Sequence, residues 1–223
     1  MEKNESRLKG LLTWRVFLTG SLVLAALLLF VYIADEAVIE GEKAFDDAVI
    51  SFFDSVTGPR LIGLAKVFTF LGSPTCLVPF YLCLVAFYFV RRNWLFGVYV
   101  LIITASSTAL FAGLKLVFHR ARPDHPVIKG VTGYSFPSGH SLSAFVFSSI
   151  LIYIVWHSGF RRRWKWVLSV LLVLYACAIG SSRIVLKVHY PTDVLASFCV
   201  GLVWVVVSLW ILQHFKAARA EVV

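Results

Sequence analysis

Six stretches of the chain carry no Lys, Arg, Asp or Glu: Val16–Ala34, Val67–Val90, Asn93–Leu114, Gly130–Phe160, Trp166–Ser182 and Val194–Phe215. A helix rising about 1.5 Å per residue needs roughly 20 apolar residues to cross the hydrocarbon core of a bilayer. Five of the runs meet or approach that length, and the fourth trims to a crossing at about Ser141–Trp156. The pattern predicts an all-α fold, a bundle of six transmembrane helices. These account for most of the chain, so residues 1–223 read as one domain.

Between the first two runs the period changes. Phe45, Val49, Phe52, Phe53 and Val56 recur at helical spacing over Lys43–Val56, and Asp46, Asp47 and Asp54 lie off that stripe. This is an amphipathic helix, lying at the outer interface or packed against the bundle. Gly58-Pro59 ends it, and Gly72-Ser73-Pro74 divides the next segment into a short outer helix, Leu61–Leu71, and the second crossing, Thr75–Val90. The first apolar run follows basic residues as a signal peptide would. It is longer than a signal core and no small-residue cleavage site follows it, so it reads as a retained helix.

Composition agrees: 59% of residues are hydrophobic and 15% charged. The net charge of +9 invites a nucleic-acid reading, which its placement removes. Lys3, Arg7, Lys9, Arg15, Arg91, Arg92, Arg161, Arg162, Arg163, Lys165, Lys216 and Arg219 all fall on one side of the bundle, twelve of the 21 Lys and Arg residues. Seven acidic residues gather in the first segment on the other side, between Asp35 and Asp54. By the positive-inside rule both termini are cytoplasmic, in a multi-pass protein of the cell membrane. Cys76, Cys83, Cys177 and Cys199 sit in apolar stretches without metal-ligand spacing and read as packing residues.

Ionisable residues at membrane depth are costly and mark function. Here they fall in three segments, all on the outer side: 115–123, 137–140 and 182–193. In the first, Lys115 supplies a point charge and Arg122 a planar fork suited to two phosphate oxygens, although either cation could simply snorkel to the interface. In the second, Pro-Ser-Gly-His (137–140), Ser138 is placed to cap the fourth helix. The amides of Gly139, His140 and Ser141 then form an anion site, with His140 beside it for proton transfer. In the third, Pro191 suits the first turn of the sixth helix, so Asp193 lies in that turn and His189 just before it, with Arg183 as a third cation. A carboxylate beside an imidazole fixes its tautomer and stabilises its charged form. Singly, each segment has an ordinary structural explanation. Together they hold a charge clamp, a nucleophile, an orienting carboxylate and a general acid, which suits phosphoryl transfer. One carboxylate among several cations would repel a divalent ion, so no metal or other cofactor is expected.

These segments resemble the signature of the type 2 phosphatidic acid phosphatase family, whose active-site pattern is shared with vanadium haloperoxidases. The pattern is K-x6-R-P, then P-S-G-H, then S-R-x5-H-x3-D. It is matched here by Lys115, Arg122 and Pro123, by Pro137, Ser138, Gly139 and His140, and by Ser182, Arg183, His189 and Asp193. A soluble haloperoxidase is excluded by the six apolar runs. The resemblance implies a lipid phosphatase whose substrate is phosphatidylglycerophosphate, phosphatidic acid or undecaprenyl pyrophosphate, reached from the outer leaflet. It implies that His189 attacks phosphorus to form a phosphohistidine, that Asp193 orients the ring, and that His140 protonates the departing oxygen. Lys115, Arg122, Ser138, the Gly139 amide and Arg183 would hold the phosphate. The residues themselves ask for a nucleophile and a separate acid. They do not decide which histidine attacks, although the nearness of Asp193 favours His189. A lipid phosphotransferase would use the same groups, and a lipid or anion transporter would use the cations alone. The pattern carries no signal for oligomeric state.

Overall fold

The computed structural model describes residues 2–220. The side chains of Lys3, Arg7, Lys9, Arg15, Lys216 and Arg219, which enter the topology count, lie outside the described ones. Among the described residues eight α-helices follow in order: α1 (Glu2–Ala34), α2 (Ala44–Val56), α3 (Pro59–Leu71), α4 (Pro74–Val90), α5 (Trp94–Phe118), α6 (Gly139–Trp156), α7 (Arg162–Val185) and α8 (Pro191–Ala220). A π-helical turn, Asp35–Ile39, extends α1.

Among the described residues five helices are long and apolar enough to cross a membrane, within α1, α5, α6, α7 and α8, and α3 with α4, bent by 41°, pass the same test as a pair, for five to six spans. The bend falls where Gly72-Ser73-Pro74 divides the sequence. Proline opens α3, α4 and α8 because the first helical N–H has no intrahelical acceptor to lose. Large apolar side chains stay on the outside of most spans, Leu24 and Leu28 on α1 and Val170 and Leu174 on α7 among them. Such a surface is unstable in water and at home in lipid, and the chain is an integral membrane protein.

Lipid tails are as apolar as leucine, so helices associate in a bilayer by close packing rather than by water exclusion. A Cβ on Gly180 of α7 would stand 2.7 Å from Val194 Cγ1 of α8, so glycine sets how near these helices come. A larger cluster built on Tyr81, Val100, Leu142, Val146 and Val205 joins α4, α5, α6 and α8.

The amphipathic helix predicted over Lys43–Val56 is α2, with Lys43 as its N-cap. It packs against α7 and α8, but not with the expected stripe inward. Phe45, Phe52 and Val56 are exposed, and the face turned to the bundle is Asp46, Val49, Ile50 and Phe53. Asp46, placed by the sequence off the packed stripe, is fully buried. At a membrane interface large apolar side chains are stable facing lipid, so the apolar stripe does not identify the buried side.

Candidate active site

Helix α5 ends at His119, which takes the left-handed conformation (φ 40°) that more often falls to glycine at a helix C-terminus. The chain then turns back across this end of the bundle, with Ser135 N–H donating to the Arg120 carbonyl at 2.8 Å. It enters α6 through a cis Phe136-Pro137 bond. Phe136 is fully buried against Phe30 of α1 and Phe118 of α5. The three signature segments are thereby brought to one end of α5, α6, α7 and α8.

His189 and Asp193 sit as expected, before and within the first turn of α8. His189 Nδ1 is 3.3 Å from Asp193 Oδ2, and both side chains are buried. Asp193 Oδ2 also accepts from Ser135 Oγ and from the Tyr190 N–H at 2.9 Å, and Oδ1 accepts from Arg120 Nη1 at 2.7 Å. The carboxylate fixes the proton on Nδ1 and leaves Nε2 with a lone pair. Arg122 Nη1 lies 3.2 Å from that Nε2. Arg122 is also held by the carbonyls of Thr132, Gly133 and Val188, so the fork is built into the loop. Burial pushes His189 down to about 4; the Asp193 hydrogen bond and charge oppose the shift, and Arg183 and Arg122 add to it.

Lys115, in the last turn of α5, donates to the Tyr134 carbonyl and lies 5.1 Å over the Phe111 ring. Arg183, in the last turn of α7, is 3% exposed and donates through Nη1 to Thr69 Oγ1 of α3. Its Nε is buried with no hydrogen-bond partner among the described residues. An unmatched buried donor costs about 1–3 kcal/mol, and an anion would relieve it. His140, half-buried at the start of α6, lies within electrostatic reach of His189, Arg183, Arg122 and Lys115.

Ser138 is the N-cap of α6, but its hydroxyl pairs with Ser141 Oγ at 2.9 Å rather than with a backbone N–H. The first intrahelical bond is Leu142 N–H to the Ser138 carbonyl, so the amides of Gly139, His140 and Ser141 lie ahead of it. Gly139 has a second reason to lack a side chain: a Cβ would stand 2.5 Å from Cζ of Phe111.

Four buried groups not singled out in the sequence complete the arrangement. Arg120 joins Asp193 to Asp46 of α2, with Nη2 2.7 Å from Asp46 Oδ2, and its guanidinium stacks 4.1 Å over Tyr190. Thr192 receives Arg120 Nη1 at 2.7 Å, and Ser135 meets Asp193. Asp46 brings a second buried carboxylate into this network through Arg120, where the sequence offered one. Below the site, Leu27 and Phe30 of α1, Leu110 and Leu114 of α5, and Val200, Val203 and Trp204 of α8 line an apolar cavity of about 260 Å³.

The chain is similar to known proteins over most of its length. The family model described as the PAP2 superfamily matches residues 94–217. Phosphatidylglycerophosphatase B of Bacillus subtilis is 32% identical over 82% of this chain and 88% of its own. The lipid A 4'-phosphatase of Bacteroides thetaiotaomicron is 27% identical over 73% of this chain and 75% of its own. A solved transmembrane PAP2-type phosphatidylglycerolphosphate phosphatase from Bacillus subtilis matches with a TM-score of 0.76 and 27% identity, covering 88% of this chain and 96% of that one. With more than half the chain under one family model and a relative of this identity running nearly end to end, the protein belongs to the PAP2 superfamily.

Proposed function

We propose that the protein is a membrane phosphatase that hydrolyses the phosphomonoester or pyrophosphate of a lipid through a phosphohistidine on His189. The observation that carries this is the line Asp193–His189–Arg122: a carboxylate on Nδ1, the lone pair of Nε2 facing the Arg122 guanidinium, and with it a fork suited to phosphate already at that nitrogen.

The steps follow from the groups present. Lys115, Arg122, Arg183, Ser138 and the Gly139 amide hold the phosphate oxygens, with Arg183 Nε gaining the acceptor it lacks. His189 Nε2 bonds to phosphorus as the bond from phosphorus to the lipid oxygen breaks, and His140 gives that oxygen a proton. Water then attacks phosphorus, the P–N bond breaks, and the proton of the water passes to His140. Asp193 stabilises the positive ring throughout.

A lipid substrate is supported by the membrane setting and by the apolar cavity between α1, α5 and α8, which begins beside Lys115 at Leu114. The charge asymmetry supports a site on the extracytoplasmic side with both termini cytoplasmic. Helices α1–α8 would act as one catalytic unit without a metal.

The test is phosphate release by the purified protein across lipid monophosphates and pyrophosphates, beside His189→Ala. Release by the parent and loss of about 10⁴-fold or more in the variant is expected. Equal turnover by a folded variant refutes the nucleophile, and phosphate recovered on a second lipid instead of in solution makes the enzyme a phosphotransferase.

A further inference from the structure

Asp46 lies in none of the three signature segments and outside the residues 94–217 that the family model matches. It is nevertheless 1% exposed, on a helix whose other acidic residues, Asp47 and Asp54, face out. Its Oδ1 accepts the Thr192 N–H at 2.9 Å, and Oδ2 accepts Thr192 Oγ1 at 2.8 Å and Arg120 Nη2 at 2.7 Å. Arg120 spends its other terminal nitrogen on Asp193. A single guanidinium therefore sits between two buried carboxylates, one of which orients His189.

Charge and geometry lead to the same role. With Asp193 alone as partner, Arg120 would draw the Asp193 charge away from the imidazole; Asp46 takes a share of that pull, and Asp193 keeps its charge for a positive ring on His189. By holding the Thr192 N–H, Asp46 also fixes the first turn of α8, from which Asp193 projects. We infer that Asp46 is a positioning residue for the His189–Asp193 pair, acting through Arg120 and the start of α8. This rests on the His189 reading above, and it makes the outer helix α2 part of the working site.

Asp46→Asn separates the two contributions, since the amide oxygen can keep the Thr192 N–H while the charge is gone. The full-length protein is compared with Asp46→Asn and with Asp47→Asn, the exposed neighbour, by lipid-phosphate turnover and by the NMR titration of ¹⁵N-labelled histidines in micelles. The other groups facing His189 are unchanged in both: Asp193 on α8, Arg183 on α7, Arg122 in the loop and His140 on α6, with Lys187 engaged by Asp54. Asp46→Asn is expected to lower kcat by roughly 10- to 100-fold with KM within about threefold, and to move the His189 titration to lower pH, because Arg120 is left less compensated. Asp47→Asn should match the parent in both. A His189 titration and kcat unchanged in Asp46→Asn overturn the inference, as does a rise in KM alone. If Asp46→Asn does not fold, Arg120→Lys decides in the same way: it keeps one positive charge but loses the fork that joins Asp46 to Asp193, and unaltered kcat and His189 titration there overturn the inference. A parent that releases no phosphate from any lipid defeats the hydrolase reading, while the His189 titration still decides the part played by Asp46.

Discussion

Arg122 Nη1 and His189 Nε2 are 3.2 Å apart, so the cation proposed to clamp phosphate and the nitrogen proposed to attack it share one position. A phosphate entering between them exchanges the imidazole for an oxygen as the partner of that N–H, and it meets the nucleophile at contact distance. Arg122→Lys keeps the charge but gives up the fork and its bonds to Thr132, Gly133 and Val188. The expected loss is about 10²–10³-fold in kcat, by analogy with removing one transition-state donor. Steady-state kinetics on a lipid phosphate measure it, and a loss below about threefold would remove Arg122 from the clamp.

The pH profile should reflect the low value of His189, about 4. A depressed imidazole stays neutral through mildly acid solution, so the nucleophile is lost only as pH falls through that value. After allowance for the substrate's own second ionisation near roughly pH 6 and for loss of the His140 proton as pH rises, kcat/KM should show no fall on acidification until below about pH 4. A fall on acidification at the ordinary histidine value near 6.5 would contradict this. Stability moves in the same direction: the unfolded ring takes its proton first, so the contribution of neutral His189 is full above about pH 6.5 and is lost as pH drops towards 4.

Thr69 gives Arg183 a fixed acceptor from α3. Thr69→Val removes that acceptor while nearly preserving shape. A hydrogen bond to a charged group contributes about 1.5–3 kcal/mol, so kcat/KM should fall by roughly 10- to 100-fold. Unaltered kinetics would show that packing alone orients Arg183.

The apolar cavity separates chain recognition from chemistry. Val203→Trp fills it from α8, well below the charged groups. Losing the burial of about two methylenes, near 0.8 kcal/mol each, should raise KM for long-chain lipid phosphates by about tenfold and leave a short-chain analogue unaffected. The same change for both chain lengths would mark the cavity as a packing defect.

Much of this architecture is legible in the sequence because lipid imposes simple demands. Charge-free runs of spanning length gave the helices, and Gly72-Ser73-Pro74 gave the bend. Lys115, Arg122, His140, Arg183, His189 and Asp193 stood out because charge in such surroundings is rare, and all of them gather at one end of the bundle. What stayed hidden depends on the third dimension. Arg120 lay two residues from Arg122 and drew no separate reading, yet the two point to different partners: Arg120 to Asp46 and Asp193, Arg122 to His189. Asp46 heads an i, i+3, i+4, i+7 series with Val49, Ile50 and Phe53. That signal was present, but the larger apolar residues on the neighbouring face of α2 outweighed it. Thr69 has no marker, since a hydroxyl within an apolar helix commonly bonds its own backbone, as Thr104 does.

Asp193 receives four donors, from Arg120, Ser135, His189 and Tyr190, and a carboxylate offers about four acceptor directions. Oδ2 takes three of them and Oδ1 the fourth, and the side chain is fully buried, so the group has no freedom to turn. The plane of the histidine ring is therefore settled when the chain folds, before any substrate arrives. Lengthening the acid by one methylene would crowd every one of those donors, which makes glutamate as poor a substitute here as alanine.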